Sequence, residues 1–179
     1  MTTRWLTRLV IAATVASMPL GVGAQSSTGL VEQRQPALVV AGDVTAPLAL
    51  SIGDLKVLPR KAVTVEEEGR SVRYEGVLVA ALLERAGAPS GADLRGPAVA
   101  AYVVAVARDG YRAVYSVAEL DPLFTGSEII VADTADGRPL FDYQGPLRIV
   151  APRDTRGARS VRMLERIELV RLPGQEAAK

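Results

Sequence analysis

The chain has 179 residues with 21 Lys and Arg against 20 Asp and Glu, a near balance that advertises neither a nucleic-acid surface nor an acidic-substrate trap. It contains no cysteine and no histidine, which removes Cys- or His-ligated zinc and iron, cysteine nucleophiles and every Ser-His or Cys-His relay. With aromatics at 4%, no basic and aromatic groove for single-stranded nucleic acid is expected, and no phosphate-cradling glycine loop is present.

Arg4 and Arg8 precede an apolar run that ends near Leu20, and Val22-Gly23-Ala24 closes it with small residues. This pattern predicts a secretory signal peptide over residues 1–24, cut after Ala24, and hence export to the periplasm. An uncleaved anchor competes with that reading, but the run is shorter than the ~20 residues that span a bilayer and is broken by Pro19 and Gly21. No stable membrane insertion is expected after processing. Residues 25–36 read as a flexible lead-in, 37–172 as one domain and 173–179 as a disordered tail.

Within that domain Ala37-Leu-Val-Val-Ala-Gly42 predicts a buried strand and Leu48-Ala-Leu-Ser51 a short extended piece. Ser51-Ile-Gly-Asp54 has capping-box spacing and opens a short helix that stops before Pro59. Lys61 to Glu66 and Ser71 to Glu75 flank a turn at Glu68-Gly69, which predicts a hairpin with Glu66-Glu67-Glu68 as its solvated tip. Val77 to Ala86 predicts a helix ended by Gly87, and Pro89 to Pro97 a loop.

Ala98 to Ala107 and Tyr111 to Tyr115 predict two strands around the Asp109-Gly110 turn. Ser116-Val-Ala-Glu119 starts a brief helix that Asp121-Pro122 ends. Strands follow at Glu128 to Asp133, Leu147 to Ala151 and Leu164 to Arg171. About eight strands with two or three short helices, lacking a regular strand-helix alternation, predict an α+β domain built on a mixed β-sheet.

One stretch stands out chemically: Gly145-Pro-Leu-Arg-Ile-Val-Ala-Pro-Arg-Asp-Thr-Arg-Gly-Ala-Arg-Ser-Val-Arg162 holds five arginines. It joins three other segments in an ordered set: Gly42-Asp-Val-Thr-Ala-Pro47 with the helix at Ser51, Tyr74-Glu-Gly-Val-Leu-Val-Ala-Ala-Leu-Leu83, and Ala107-Arg-Asp-Gly-Tyr111 with Ser116 downstream. Together they resemble the oxidoreductase molybdopterin-binding domain of the sulfite oxidase family, over nearly all of residues 38–170. The resemblance implies a mixed-sheet α+β fold and a Gly-Ala-Arg-Ser-Val loop that lies against a pterin and its phosphate. Enzymes of that family hold molybdenum through a cysteine thiolate, a soft ligand that Ser or Asp does not simply replace. With no cysteine here, cysteine-ligated molybdenum is excluded, and the resemblance implies an exported, non-catalytic domain that binds a pterin or molybdopterin-like ligand. Small exported members of the superfamily suggest by analogy that the bound state is passed to a membrane-anchored protein partner with a periplasmic domain.

The residues expected at the ligand are Asp109, Tyr111, Ser116, Arg148, Arg153, Arg159, Ser160 and Arg162. Guanidinium forks suit anionic or carbonyl-rich groups, Tyr111 a flat heteroaromatic ring, and Asp109 a ring amino group. Competing roles stand beside these. Asp109 shapes its turn, Tyr111 and Tyr115 pack with Ala113, Arg148 is a buried ion-pair partner, and the loop arginines pair with Asp154, Glu165 or Glu168. Two other functions remain open at this point: a molybdopterin-dependent oxidoreductase whose metal needs no cysteine, and a ligand-free accessory module.

Overall fold

The computed structural model describes residues 36–172. The expected signal peptide, the lead-in up to Gln35 and the tail from Pro173 lie outside the described residues. Among the described residues the chain forms an α+β domain of ten strands in two five-stranded sheets. In the first sheet the order is β2 (Leu48–Leu50), β1 (Leu38–Gly42), β10 (Leu164–Val170), β5 (Tyr102–Ala107), β6 (Arg112–Ser116). Only the β1–β10 pair is parallel, so the sheet is mixed as expected. The second sheet is antiparallel: β3 (Lys61–Glu67), β4 (Arg70–Leu78), β7 (Ile130–Ala135) and β8 (Arg138–Pro139), with β9 (Arg148–Val150) on β7.

Alternation sorts the side chains. Val103 and Ala105 on β5, Ile167 and Leu169 on β10 and Leu38 and Val40 on β1 enter the main core, which also takes Val79, Leu82 and Leu83 from α2 (Val79–Arg85). β7 and β9 are buried along both faces. They send Val131 and Ile149 into that core and Ile130, Ala132 and Val150 into a smaller cluster with Val63, Val72 and Tyr74.

Both capping boxes form as the sequence predicts. Ser51 caps α1 (Ile52–Lys56), with Asp54 bonding back to it, and Ser116 with Glu119 caps α3 (Val117–Leu120). Asp121-Pro122 ends α3, yet also starts α4 (Pro122–Thr125): Asp121 Oδ1 accepts from the Leu123 amide at 2.8 Å and Pro122 takes a first-turn position where no donor is needed.

Two expectations are overturned. Val77 and Leu78, expected in the helix, belong to β4, because β7 offers them backbone partners at Val131 and Ile130. Ala98 to Ala100, expected in the β5 strand, belong instead to a 3₁₀ turn over Gly96–Ala100.

Candidate functional site

The arginine stretch divides into groups held inside the protein and groups left at its surface. Arg148 follows Leu147 on a strand buried on both faces, so its guanidinium has no route to water and must find partners internally. Nη2 donates to Glu67 Oε1 at 2.5 Å, and Nη1 to Tyr74 Oη at 2.6 Å and Gln144 Oε1 at 3.0 Å. Tyr74 in turn donates to Glu67 Oε2 at 3.0 Å, closing a ring of bonds around one ion pair. Burial pushes the Tyr74 phenol up to about 12, with Arg148 pulling the other way. Nε of Arg148 is buried without a partner among the described residues.

Glu67 therefore does not share the solvated hairpin tip expected of Glu66-Glu67-Glu68. It turns inward because a buried guanidinium at the end of β9 offers it two donors.

Arg159 is also committed. Its fork donates to both Asp154 oxygens, at 2.9 and 2.7 Å, its third nitrogen donates to Glu119 Oε1 at 2.6 Å, and the plane lies 5.0 Å from the Tyr115 ring centroid. The Asp154 hydrogen bonds raise its affinity for the proton above the ordinary value, against burial and with help from Glu119. Beneath it, Tyr115 is fully buried and donates to the Arg159 carbonyl; burial pushes this phenol up, Arg159 opposing. Arg153 caps α4, donating to the Thr125 and Gly126 carbonyls at 2.6 and 3.1 Å. Ser116 spends its hydroxyl on the α3 cap.

The other four expected residues meet. Asp109 and Tyr111 come from the β5–β6 turn, Ser160 and Arg162 from the loop before β10, and they line one hollow of about 320 Å³. Asp109 Oδ1 accepts from the Tyr111 amide at 3.0 Å, the turn-shaping role weighed for it, while its second oxygen has no partner among the described residues. Tyr111, 49% exposed, donates from its hydroxyl to the Ala158 carbonyl at 2.5 Å, which fixes the ring across the hollow's rim. Arg162 makes no ion pair among the described residues and lies 5.2 Å from the Tyr143 ring centroid.

Tyr143 is the residue that sequence reading missed. It sits on a 3₁₀ turn, Asp142–Gln144, held by Gly145, where a Cβ would come within 2.5 Å of the Leu140 backbone. Only glycine allows that approach, and it brings Tyr143 round to face Arg162. Tyr143 also borders a second, larger hollow of about 510 Å³, walled by Glu67 and Arg70 from the β3–β4 hairpin and by Arg138 and Phe141 beyond β7. Gly145 stands directly before Pro146 at the head of the arginine stretch, whereas Tyr143 carries no sequence signal of its own.

The hollow between Tyr111 and Tyr143 has a mixed polar and aromatic lining. It offers a carboxylate oxygen, a guanidinium already stacked on an aromatic ring and a second aromatic at the rim, a set suited to a flat heterocycle with an amino and carbonyl edge. No cluster of three Asp or Glu that could hold a metal occurs among the described residues, and the whole chain offers neither Cys nor His. The donors thus fit such a heterocycle and do not fit thiolate-held molybdenum.

Two sheets of an α+β domain, with a hollow between a hairpin turn and an arginine loop, define the class of fold. The chain belongs to the oxidoreductase molybdopterin binding domain family, whose sequence model matches residues 27–177. Among solved structures it is similar to the sulfane dehydrogenase SoxCD from Paracoccus pantotrophus, at 20% identity and a TM-score of 0.60, over 77% of this chain. That match spans 38% of the SoxCD chain, and at such identity it establishes the fold alone. No curated protein matches. The sulfite-oxidase-like α+β fold expected from the four motifs is thus the fold found.

Proposed function

We propose that the chain is an exported, non-catalytic domain that seats a pterin at the hollow between Tyr111 and Tyr143 and passes the liganded state to a membrane-anchored partner in the periplasm. The observation that carries the reading is the convergence of Asp109, Tyr111, Ser160 and Arg162, from two distant segments, on one hollow that also borders Tyr143. Asp109 would accept from the ring amino group and the neighbouring ring N–H, Arg162 would donate to the carbonyl, and the tyrosine rings would cover the heterocycle. When bound, a pterin would supply an oxidisable ring whose state such a module can report. Family membership supports a pterin-type ligand, and the missing thiolate supports a binding role over a molybdenum-dependent one.

Calorimetric titration of the full chain with oxidised and reduced pterins tests the reading. Binding weakened about tenfold or more in Arg162→Ala and Asp109→Asn is the expected result. Failure of every pterin up to millimolar concentration sinks it, and stoichiometric molybdenum in the purified protein would replace it with the oxidoreductase alternative. Crosslinking from intact envelopes addresses the partner: recovery of a membrane protein that depends on ligand is expected.

A second reading, a ligand-free accessory module, draws on the internal commitment of Arg148 and Arg159. Partner recovery unchanged by ligand and by Arg162→Ala would favour it.

A further inference from the structure

The second sheet ends on one side in β3, whose seven residues Lys61-Ala-Val-Thr-Val-Glu-Glu67 pair with β4 alone and without a bulge. Other sheet edges are blunter. β2 and β9 are three residues long, β8 is two and carries Pro139, and β9 gives its Ile149 N–H to the Val161 carbonyl at 2.9 Å. β6 has five residues. An edge as long and regular as β3 is a template for another strand.

The direction of its backbone groups follows from the hairpin. Glu68 and Gly69, at φ of 52° and 76°, make a two-residue turn, so Glu67 and Arg70 exchange backbone bonds and every second residue of β3 does the same with β4. Thr64 falls between such pairs. Opposite it, Arg73 turns both backbone groups the other way, donating to Asp136 Oδ1 at 2.9 Å and accepting from the Asp136 amide at 2.8 Å. Ala62, Thr64 and Glu66 therefore present N–H and C=O groups outward, with no backbone partner there among the described residues.

The strand is complementary to itself when a copy meets it antiparallel about Thr64. Thr64 then faces Thr64 and Ala62 faces Glu66, and every outward backbone group of the three residues finds a partner. On the other face Val63 lies beside Val65 and Lys61 beside Glu67, apolar against apolar and base against acid. Sliding the copy by two residues leaves Ala62 or Glu66 without a strand partner and separates Lys61 from Glu67. Parallel pairing in register sets Lys61 against Lys61 and Glu66 against Glu66, which repel.

We propose that β3 is a homotypic docking edge: two copies of this chain pair antiparallel about Thr64 and merge their second sheets into one continuous sheet across a two-fold axis. Such a contact uses the same patch on both copies and closes at the dimer. No residue of β3 lines the hollow between Tyr111 and Tyr143, so the inference stands apart from the pterin reading.

The chain has no cysteine, so introduced cysteines report the pairing directly. Opposed residues of a hydrogen-bonded antiparallel pair lie about 5.5 Å apart at Cα, within disulfide range. Under mild oxidation of the full chain, Thr64→Cys should form a disulfide dimer, and Ala62→Cys should cross-link to Glu66→Cys when the two are mixed but not to itself. Val114→Cys, on the exposed face of the β6 edge, sets the background rate. Sedimentation of the unaltered chain from about 10 to 300 μM should show a monomer–dimer equilibrium, as for a small, transient interface. Ala62→Lys, opposite Glu66, should tighten it about threefold and Ala62→Glu weaken it by a similar factor, opposite signs that a folding defect does not produce. Cross-linking of Thr64→Cys no faster than that of Val114→Cys, or a chain monomeric over the whole range, would overturn the docking edge. Cross-linking at Thr64 without the Ala62–Glu66 pair would overturn the register and the proposal with it.

Discussion

Arg148 and Arg162 stand near opposite ends of one arginine-rich stretch and occupy opposite environments. Arg148 is 1% exposed and is bonded to Glu67, Tyr74 and Gln144; Arg162 is exposed, unpaired among the described residues and stacked on Tyr143. The difference follows from the backbone that carries each. A β-strand buried on both faces cannot offer a charged side chain any water, so the charge must be neutralised inside, whereas a loop before an edge of the next strand can leave its charge free for another molecule. Residue type alone does not separate a structural arginine from a binding one.

Substitutions that remove each side of this contrast should differ in kind. Arg148→Met strips the partner from Glu67 and Tyr74 and should cost about 3–5 kcal/mol of stability, read as a fall in the urea midpoint. The double variant Arg148→Met with Glu67→Gln should recover much of that, because replacing a buried pair is milder than breaking it. No recovery would mean that the pair stabilises through something other than mutual neutralisation.

Arg159→Ala should cost less, about 1–2 kcal/mol, since its bonds to Asp154 and Glu119 are strong but its side chain is 39% exposed and water can replace part of them.

A third contrast appears only at high pH. Tyr74 ionises near 10 in the unfolded chain and at about 12 when folded, so over that range the unfolded state binds fewer protons and stability falls as pH rises. The contribution is intact below pH 10 and lost through pH 12. Tyr74→Phe should flatten that part of the stability profile, measured by denaturation from pH 8 to 12, and an unchanged slope would assign the loss to other groups. Smallest in stability is Arg162→Ala, expected within about 0.5 kcal/mol of the parent by thermal unfolding while ligand affinity falls. A large loss of stability there would make Arg162 a structural residue like Arg148 and erase the comparison.

Much of the fold was legible because it is local. Turn chemistry at Asp109-Gly110 and Glu68-Gly69, and the capping spacings Ser51 to Asp54 and Ser116 to Glu119, act over a few residues and form as read. The failures are non-local. Val77 and Leu78 carry a helix-compatible pattern but pair with β7, distant in sequence, and ladder bonds outweigh weak helical propensity. Glu67 looked like part of a solvated acidic tip until a buried arginine far along the chain claimed it.

The candidate site divides in the same way. Asp109, Tyr111, Ser160 and Arg162 were visible from the motifs and do gather at one hollow, whereas Tyr143 carried no motif and was found only where the chain brings it.

The sequence by itself determined the family, the mixed-sheet α+β class and the exclusion of thiolate or imidazole chemistry, because composition and short-range patterning act without regard to distant neighbours. Only the tertiary structure decided which arginines remain free. Pairing is a matter of three-dimensional distance, and the carboxylates that silence Arg148 and Arg159 include Glu67 and Glu119, residues far away along the chain and within hydrogen-bonding reach in space.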